Sequence, residues 1–166
     1  MITDLVMLKY FGWISKMPIF MLDTNAINSI GYDKTLFDCV VLAVNNRKLT
    51  LCITHIQEDE IEKIPNSGLR SNLLNFMQNY CTRIPTRGFV LGVSRLGEAS
   101  FYDGEEIDAI YKGNIKMMHD ALIAATAKCD VDYLVTDDNI LRKRVKKEVP
   151  NLRLLTNSEF YKLILE

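Results

Sequence analysis

The chain is short of the residues that usually announce a site. Four cysteines, at 39, 52, 81 and 129, form no CxxC pair, and each sits in an apolar or mixed context. That excludes a disulfide framework and a cysteine zinc site. It predicts a reduced chain with small buried thiols, as in the cytoplasm. There are only two histidines, His55 and His119, and no Ser–His–Asp or Cys–His arrangement is recognisable. Charge of one sign is also missing. Twenty Lys and Arg stand against 21 Asp and Glu, a formal net charge of −1, so whole-chain charge argues neither for nor against nucleic acid. Long apolar runs are absent. The longest uncharged run in MITDLVMLKYFGWISK is the six residues YFGWIS. A basic n-region, an h-region and a cleavage site are missing there, so it does not read as a signal peptide. No stretch reaches membrane-spanning length. There is no repeat, low-complexity segment or interdomain linker.

What is present is ordinary globular material of 166 residues, 48% hydrophobic and 25% charged, enough for one domain with a sizeable core. Met17-Pro18 stands directly before the first strand signal. Residues 1–16 therefore read as an N-terminal extension, a packing helix striped by Tyr10, Phe11 and Trp13, and residues 17–166 as a single domain.

Short apolar runs alternate with helical periodicity, which predicts an α/β fold with a largely parallel sheet. The expected strands are Ile19–Leu22, Leu49–Ile53, Gly88–Val93, Tyr133–Val135 and Leu152–Leu155. Expected helices are Thr24–Ile30, Leu36–Asn45, Glu58–Ile64 and Leu69–Tyr80, the last two split at Pro65. Further helices are expected over Gly97–Tyr111, Lys116–Lys128 and Asn139–Lys147, with a last one from Ser158. In open parallel sheets, ligands bind beyond the carboxyl ends of the strands. Asp23 follows strand one, Thr54 to Glu60 follow strand two, and Thr136, Asp137 and Asp138 follow strand four.

That rim is acidic. Asp23 ends the apolar IFML run. In THIQEDEI, if Ile53, Ile56 and Ile61 face the core, Glu60 lies at the edge beside them and Asp59 points away. In HDALIAATA, Ala121, Ile123, Ala124, Ala125 and Ala127 make a small-residue face for close packing, with Asp120 in the first turns. Four carboxylates without matching bases repel, and the usual remedy is a hard divalent cation. Mg²⁺ or Mn²⁺ would suit such a site, and two ions about 4 Å apart clamp a phosphodiester.

Each acid also has a bland reading. Asp23 suits a helix N-cap, worth about 1 kcal/mol. Glu58 and Asp59 suit a solvated helical face. Asp120 suits a helix dipole, and Asp137 and Asp138 a turn. His119, adjacent to Asp120, reads as a packing or supporting group. The segment LRKRVKKEVPNLR carries six basic residues and one acid. Arg142, Lys143 and Lys146 are its candidates for contact with a phosphate backbone. Arg83, Arg87 and Arg95 are candidates for the same role or for an acidic partner.

The segments LDTNAI, THIQEDEI, HDALIAATA and LVTDDN, in that order, resemble the PIN-domain ribonucleases and, within them, the VapC-type toxins of toxin–antitoxin pairs. The resemblance covers roughly Pro18 to Leu155. It implies a PIN-like three-layer α/β/α sandwich with a largely parallel five-stranded sheet. It also implies a metal-dependent endoribonuclease whose ligands are Asp23, Glu60, Asp120 and Asp138, supported by Asn25 and Thr136. An RNA substrate, a cognate antitoxin and a homodimer are implied with it. The chain departs from the family at Ile140, where many relatives carry a further acid; Asp137 is the acid nearest to hand. Other readings stay open: a PIN nuclease of RNA processing outside toxin–antitoxin systems, or a catalytically inactive RNA- or protein-binding module. An aspartyl phosphotransferase would need a second Asp where this chain has Asn25.

Overall fold

The computed structural model describes residues 17–101, 105–114 and 117–165. The expected packing helix of residues 1–16, with its aromatic stripe, lies outside them.

Five strands form one parallel sheet. They are β1 (Ile19–Leu22), β2 (Thr50–Ile53), β3 (Cys81–Arg83), β6 (Tyr133–Val135) and β7 (Arg153–Leu155). Their spatial order is β3-β2-β1-β6-β7. The chain builds outward from β1 to β3, then returns to the other side of β1. The switch point therefore falls between β1 and β6, the place where an open parallel sheet leaves a crevice. Phe20 pairs with Tyr133, Met21 with Leu134 and Leu22 with Val135.

Side-chain alternation divides the core into two layers. Phe20 and Leu22 of β1 face a cluster with α1 (Thr24–Tyr32), α2 (Lys34–Asn45), α4 (Ser67–Tyr80) and α8 (Asn157–Leu165). Met21 and Leu134 face the opposite cluster, built on α5 (Glu105–Tyr111), α6 (Met118–Asp130) and α7 (Asn139–Glu148). The short α3 (His55–Ile61) contributes Ile61 to one cluster and Ile56 to the other. The result is the three-layer α/β/α sandwich with a parallel five-stranded sheet. On α6 the small-residue face packs as its composition demands: Ala121, Ala124, Ala125 and Ala127 are all fully buried. Phe20 anchors the other layer, its ring stacked on Tyr133 at 4.9 Å and tilted on Phe160 at 5.2 Å. Phe20→Ala should cost about 3–5 kcal/mol, read as a lowered denaturant midpoint at unchanged m-value.

Three expectations are corrected. The third strand of the sheet is Cys81–Arg83, not Gly88–Val93. Gly88 and Gly92 take φ of +100° and +81°, which breaks a strand, and Leu91 is 89% exposed. The run GFVLGV is an apolar turn, flanked by a small parallel pair, β4 (Thr86–Arg87) with β5 (Ala99–Ser100). Second, the helix expected over Gly97–Tyr111 begins only at Glu105. Third, α3 begins at His55, three residues earlier than expected, because Thr54 and Gln57 form a capping box. Gln57 Oε1 accepts from Thr54 N at 2.9 Å, and Gln57 Nε2 donates to Leu22 O at 3.0 Å. That buried amide ties α3 to the carboxyl end of β1.

The cysteines form no disulfide among the described residues, but Cys129 is exposed, so the expectation of four buried thiols fails there. No helix among the described residues is long and apolar enough to cross a membrane.

Candidate functional site

Asp23 leaves β1 at the switch point, and its backbone N–H donates to Val135 O at 3.0 Å. It is 5% exposed. One carboxylate oxygen accepts from Thr24 N at 2.8 Å, capping α1. The other accepts from Thr136 Oγ1 at 2.8 Å and from Asn25 Nδ2 at 3.4 Å. Burial pushes the Asp23 pKa up; the bonds from Thr136 and Thr24 oppose this, while the charges of Glu60 and Asp138 add to it. The N-cap reading is thus correct, and it leaves the carboxylate at the crevice as well.

Thr136, fully buried, follows β6 and serves two neighbours. Its hydroxyl donates to Asp23 and accepts from Asp138 N at 3.1 Å. Asp138 is the N-cap of α7, and its Oδ1 accepts from Ile140 N at 2.6 Å and Leu141 N at 2.9 Å.

Glu60 reaches the site from α3. One oxygen accepts from Thr24 Oγ1 and the other bonds His119 Nδ1 at 2.9 Å. Burial pushes the Glu60 pKa up, but the bonds from His119 and Thr24 with the charges of His119 and Lys63 outweigh it, so the net shift is downward. The same bond to Glu60 raises the pKa of His119. His119 is therefore the support that its sequence position suggested. Thr24 was not singled out from sequence; a Thr after an Asp carries no signal until α3 is laid beside α1.

Asp120, in the first turn of α6, accepts no hydrogen bond among the described residues. Burial, then the charges of Asp23, Asp138 and Glu60, push its pKa up to about 7. The four acids found in sequence thus act on one another electrostatically, although they come from four separate elements.

Coordination is a stricter test. Among the described residues, no group of three or more His, Cys, Asp or Glu side chains is arranged to hold a metal ion. The reason is visible in the bonds. Both Glu60 oxygens are engaged by Thr24 and His119, and Asp138 Oδ1 is engaged by the start of α7. The chemistry of the donor set, all carboxylate oxygen and mutually repelling, fits a hard divalent cation. Binding one requires these side chains to draw together.

The remaining sequence candidates divide. Asn25 is exposed at the mouth of the site. Asp137 is turned to α8, its Oδ1 accepting from Asn157 N at 3.0 Å. Arg142 spends one N–H on Thr136 O at 3.1 Å, while Lys143 and Lys146 are exposed. Arg83 and Arg95 are engaged within the fold. Glu58 pairs with both, Asp59 with Arg95, and Glu98 with Arg83 at 3.3 Å. The reading of Glu58 and Asp59 as a free solvated face is corrected by these pairs. Arg87 forms a two-bond pair with Asp130, at 2.6 and 2.8 Å.

No protein-family model matches the chain, and no curated protein matches it. A solved structure that is similar is VapBC2 from Rickettsia felis bound to a DNA fragment from their promoter. It is 20% identical, with a TM-score of 0.48, over 83% of this chain and 98% of that one.

Proposed function

We propose that this chain is a metal-dependent endoribonuclease of the PIN type, with Asp23, Glu60, Asp120 and Asp138 as the residues that would hold Mg²⁺ or Mn²⁺. One observation supports this above the rest. The fold gathers acids from β1, α3, α6 and the start of α7 at the sheet's switch point, and leaves Asp120 without a hydrogen-bond donor. A purely structural set of acids would be paired with bases, as Glu58, Asp59 and Asp130 are in this same molecule. When bound, a divalent ion there would supply Lewis-acid polarisation of a phosphodiester and a bound water of lowered pKa. The chain's own groups divide the remaining work. Thr136 orients the Asp23 carboxylate, Thr24 and His119 orient Glu60, and Lys143 and Lys146 offer exposed positive charge for the phosphate backbone. Within this class we favour the toxin of a toxin–antitoxin pair, acting as a homodimer with an antitoxin partner. The nuclease of RNA processing is the nearest alternative, and an adjacent small reading frame for a DNA-binding protein would separate the two.

The test is cleavage of labelled single-stranded and structured RNA with Mg²⁺, Mn²⁺ or EDTA, beside Asp23→Asn and Asp138→Asn. Asn retains the N-cap in both, so the substitutions isolate the charge. Cleavage should require the metal and fall at least on the order of a hundredfold in each variant. Absence of both cleavage and metal binding by calorimetry would overturn the nuclease reading. The unclosed carboxylate set favours an RNA- or protein-binding module in that event.

A further inference from the structure

Beside Asp138, an open groove of about 450 Å³ is lined by Asn25, Asn28, Ser29, Tyr32, Asp137 and Asn157. It lies between the start of α8 and the outer face of α1, next to the acidic site. Only four buried side-chain polar atoms among the described residues lack a hydrogen-bond partner, and two of them, Asn28 Oδ1 and Asn157 Oδ1, belong to this groove. Buried acceptors without donors are costly and uncommon. The Asn157 orientation follows from its neighbours. Ser29 donates its hydroxyl proton to Asn25 O at 3.0 Å, so it can only accept from Asn157, and Nδ2 donates to it at 3.0 Å. The Asn157 backbone N–H is held by Asp137 Oδ1 at 3.0 Å. Asn157 is 6% exposed and fixed at both ends, with its carbonyl oxygen left over. Tyr32, 76% exposed, supplies an aromatic face at the rim.

We infer that this groove is a nucleobase subsite that selects amino-bearing bases and rejects uracil at one position flanking the cleaved bond. The inference rests on the ribonuclease reading for its substrate class. Unstacked bases of single-stranded RNA are read by hydrogen bonds to their edges and by stacking on aromatic rings. Cytosine, adenine and guanine each present an exocyclic amino group, which donates to the orphaned amide oxygens. Uracil presents carbonyl oxygens on both sides of its imino N–H, and these face acceptors.

The experiment has two arms on the full-length protein. In the first, a random-sequence single-stranded RNA pool is cut with Mn²⁺ and the ends are sequenced, for wild type, Asn28→Ala and Asn157→Ala. Uridine should be depleted on the order of tenfold at one fixed position from the cut, and the depletion should disappear in both variants. Asn28→Ala keeps the test clean, because Asn28 Oδ1 has no partner in the fold to lose. In the second arm, side-chain amide NMR signals of Asn28 and Asn157 are followed while CMP, AMP, GMP or UMP is added without metal. The first three should shift them and UMP should not. Amide shifts without cleavage would overturn the nuclease reading and leave the base subsite standing. Cleavage with no uridine bias, or a bias unchanged in both variants, would overturn the subsite and leave the nuclease standing. Response to no nucleotide together with no cleavage would overturn both.

Discussion

Replacing Asp120 with Asn should make the metal-free protein more stable at pH 8 while removing its binding of Mg²⁺ and Mn²⁺. The Asp120 pKa stands at about 7 in the fold against an ordinary 3.8, through burial first and then the charges of Asp23, Asp138 and Glu60. An acid whose folded pKa is raised binds more protons in the native state than in the unfolded one. Stability therefore falls as pH rises, over the window from about 3.8 to about 7. Asp23 is shifted in the same direction. His119, raised by Glu60, adds stability below its ordinary 6.5 that is lost as pH rises through its folded value. Glu60, lowered, adds stability above 4.5 that is lost only as pH falls through its folded value. Between pH 5 and 8 the apo protein should thus weaken steadily. Allowing for solvent screening, Asp120→Asn should recover on the order of 1–2 kcal/mol at pH 8, or a few degrees in Tm. It should also flatten the stability–pH profile. Added Mg²⁺ should stabilise the wild type at pH 8 and leave the variant unmoved. Below pH 7 metal affinity should weaken by up to about tenfold per unit, because binding must displace the Asp120 proton. A variant less stable than wild type at pH 8 in EDTA would show that the carboxylate supports the fold instead of burdening it.

Thr136→Val should have the opposite effect on stability and the same effect on the site. Valine fills the volume, but two buried groups lose their partner. Asp23 Oδ2 loses its 2.8 Å donor, and Asp138 N loses its acceptor. An unsatisfied buried group costs about 1–3 kcal/mol, so the combined loss should be roughly 2–4 kcal/mol, or about 5–15 °C in Tm. Metal affinity should fall about 10–100-fold, since the hydroxyl orients both carboxylate-bearing segments. Thr136→Ser, which keeps the hydroxyl, should restore affinity by calorimetry. An equal loss in Thr136→Ser would assign the effect to the methyl group and its packing.

Much of this was legible along the chain. IFML and YLV are continuous apolar runs because both faces of a central parallel strand are covered, and each ends on the polar residue that meets the crevice. HDALIAATA marks a helix packed close to the sheet, since only small side chains fit there. T-x-x-Q from Thr54 to Gln57 is a capping box that places the start of α3 from sequence alone. The edge strand Cys81–Arg83 was not legible. It is short, polar and half solvated, and pairing with β2 makes it a strand. GFVLGV misled in the other direction, because apolar content says nothing of backbone sign and two glycines bend it. The acids themselves could be listed from sequence by residue type and position. Their electrostatic coupling, the pairing of Glu60 with Thr24 and His119, and the release of Asn157 Oδ1 into the groove were decided by tertiary structure. Those properties depend on distances between elements far apart in the chain, and local pattern holds no information about such distances.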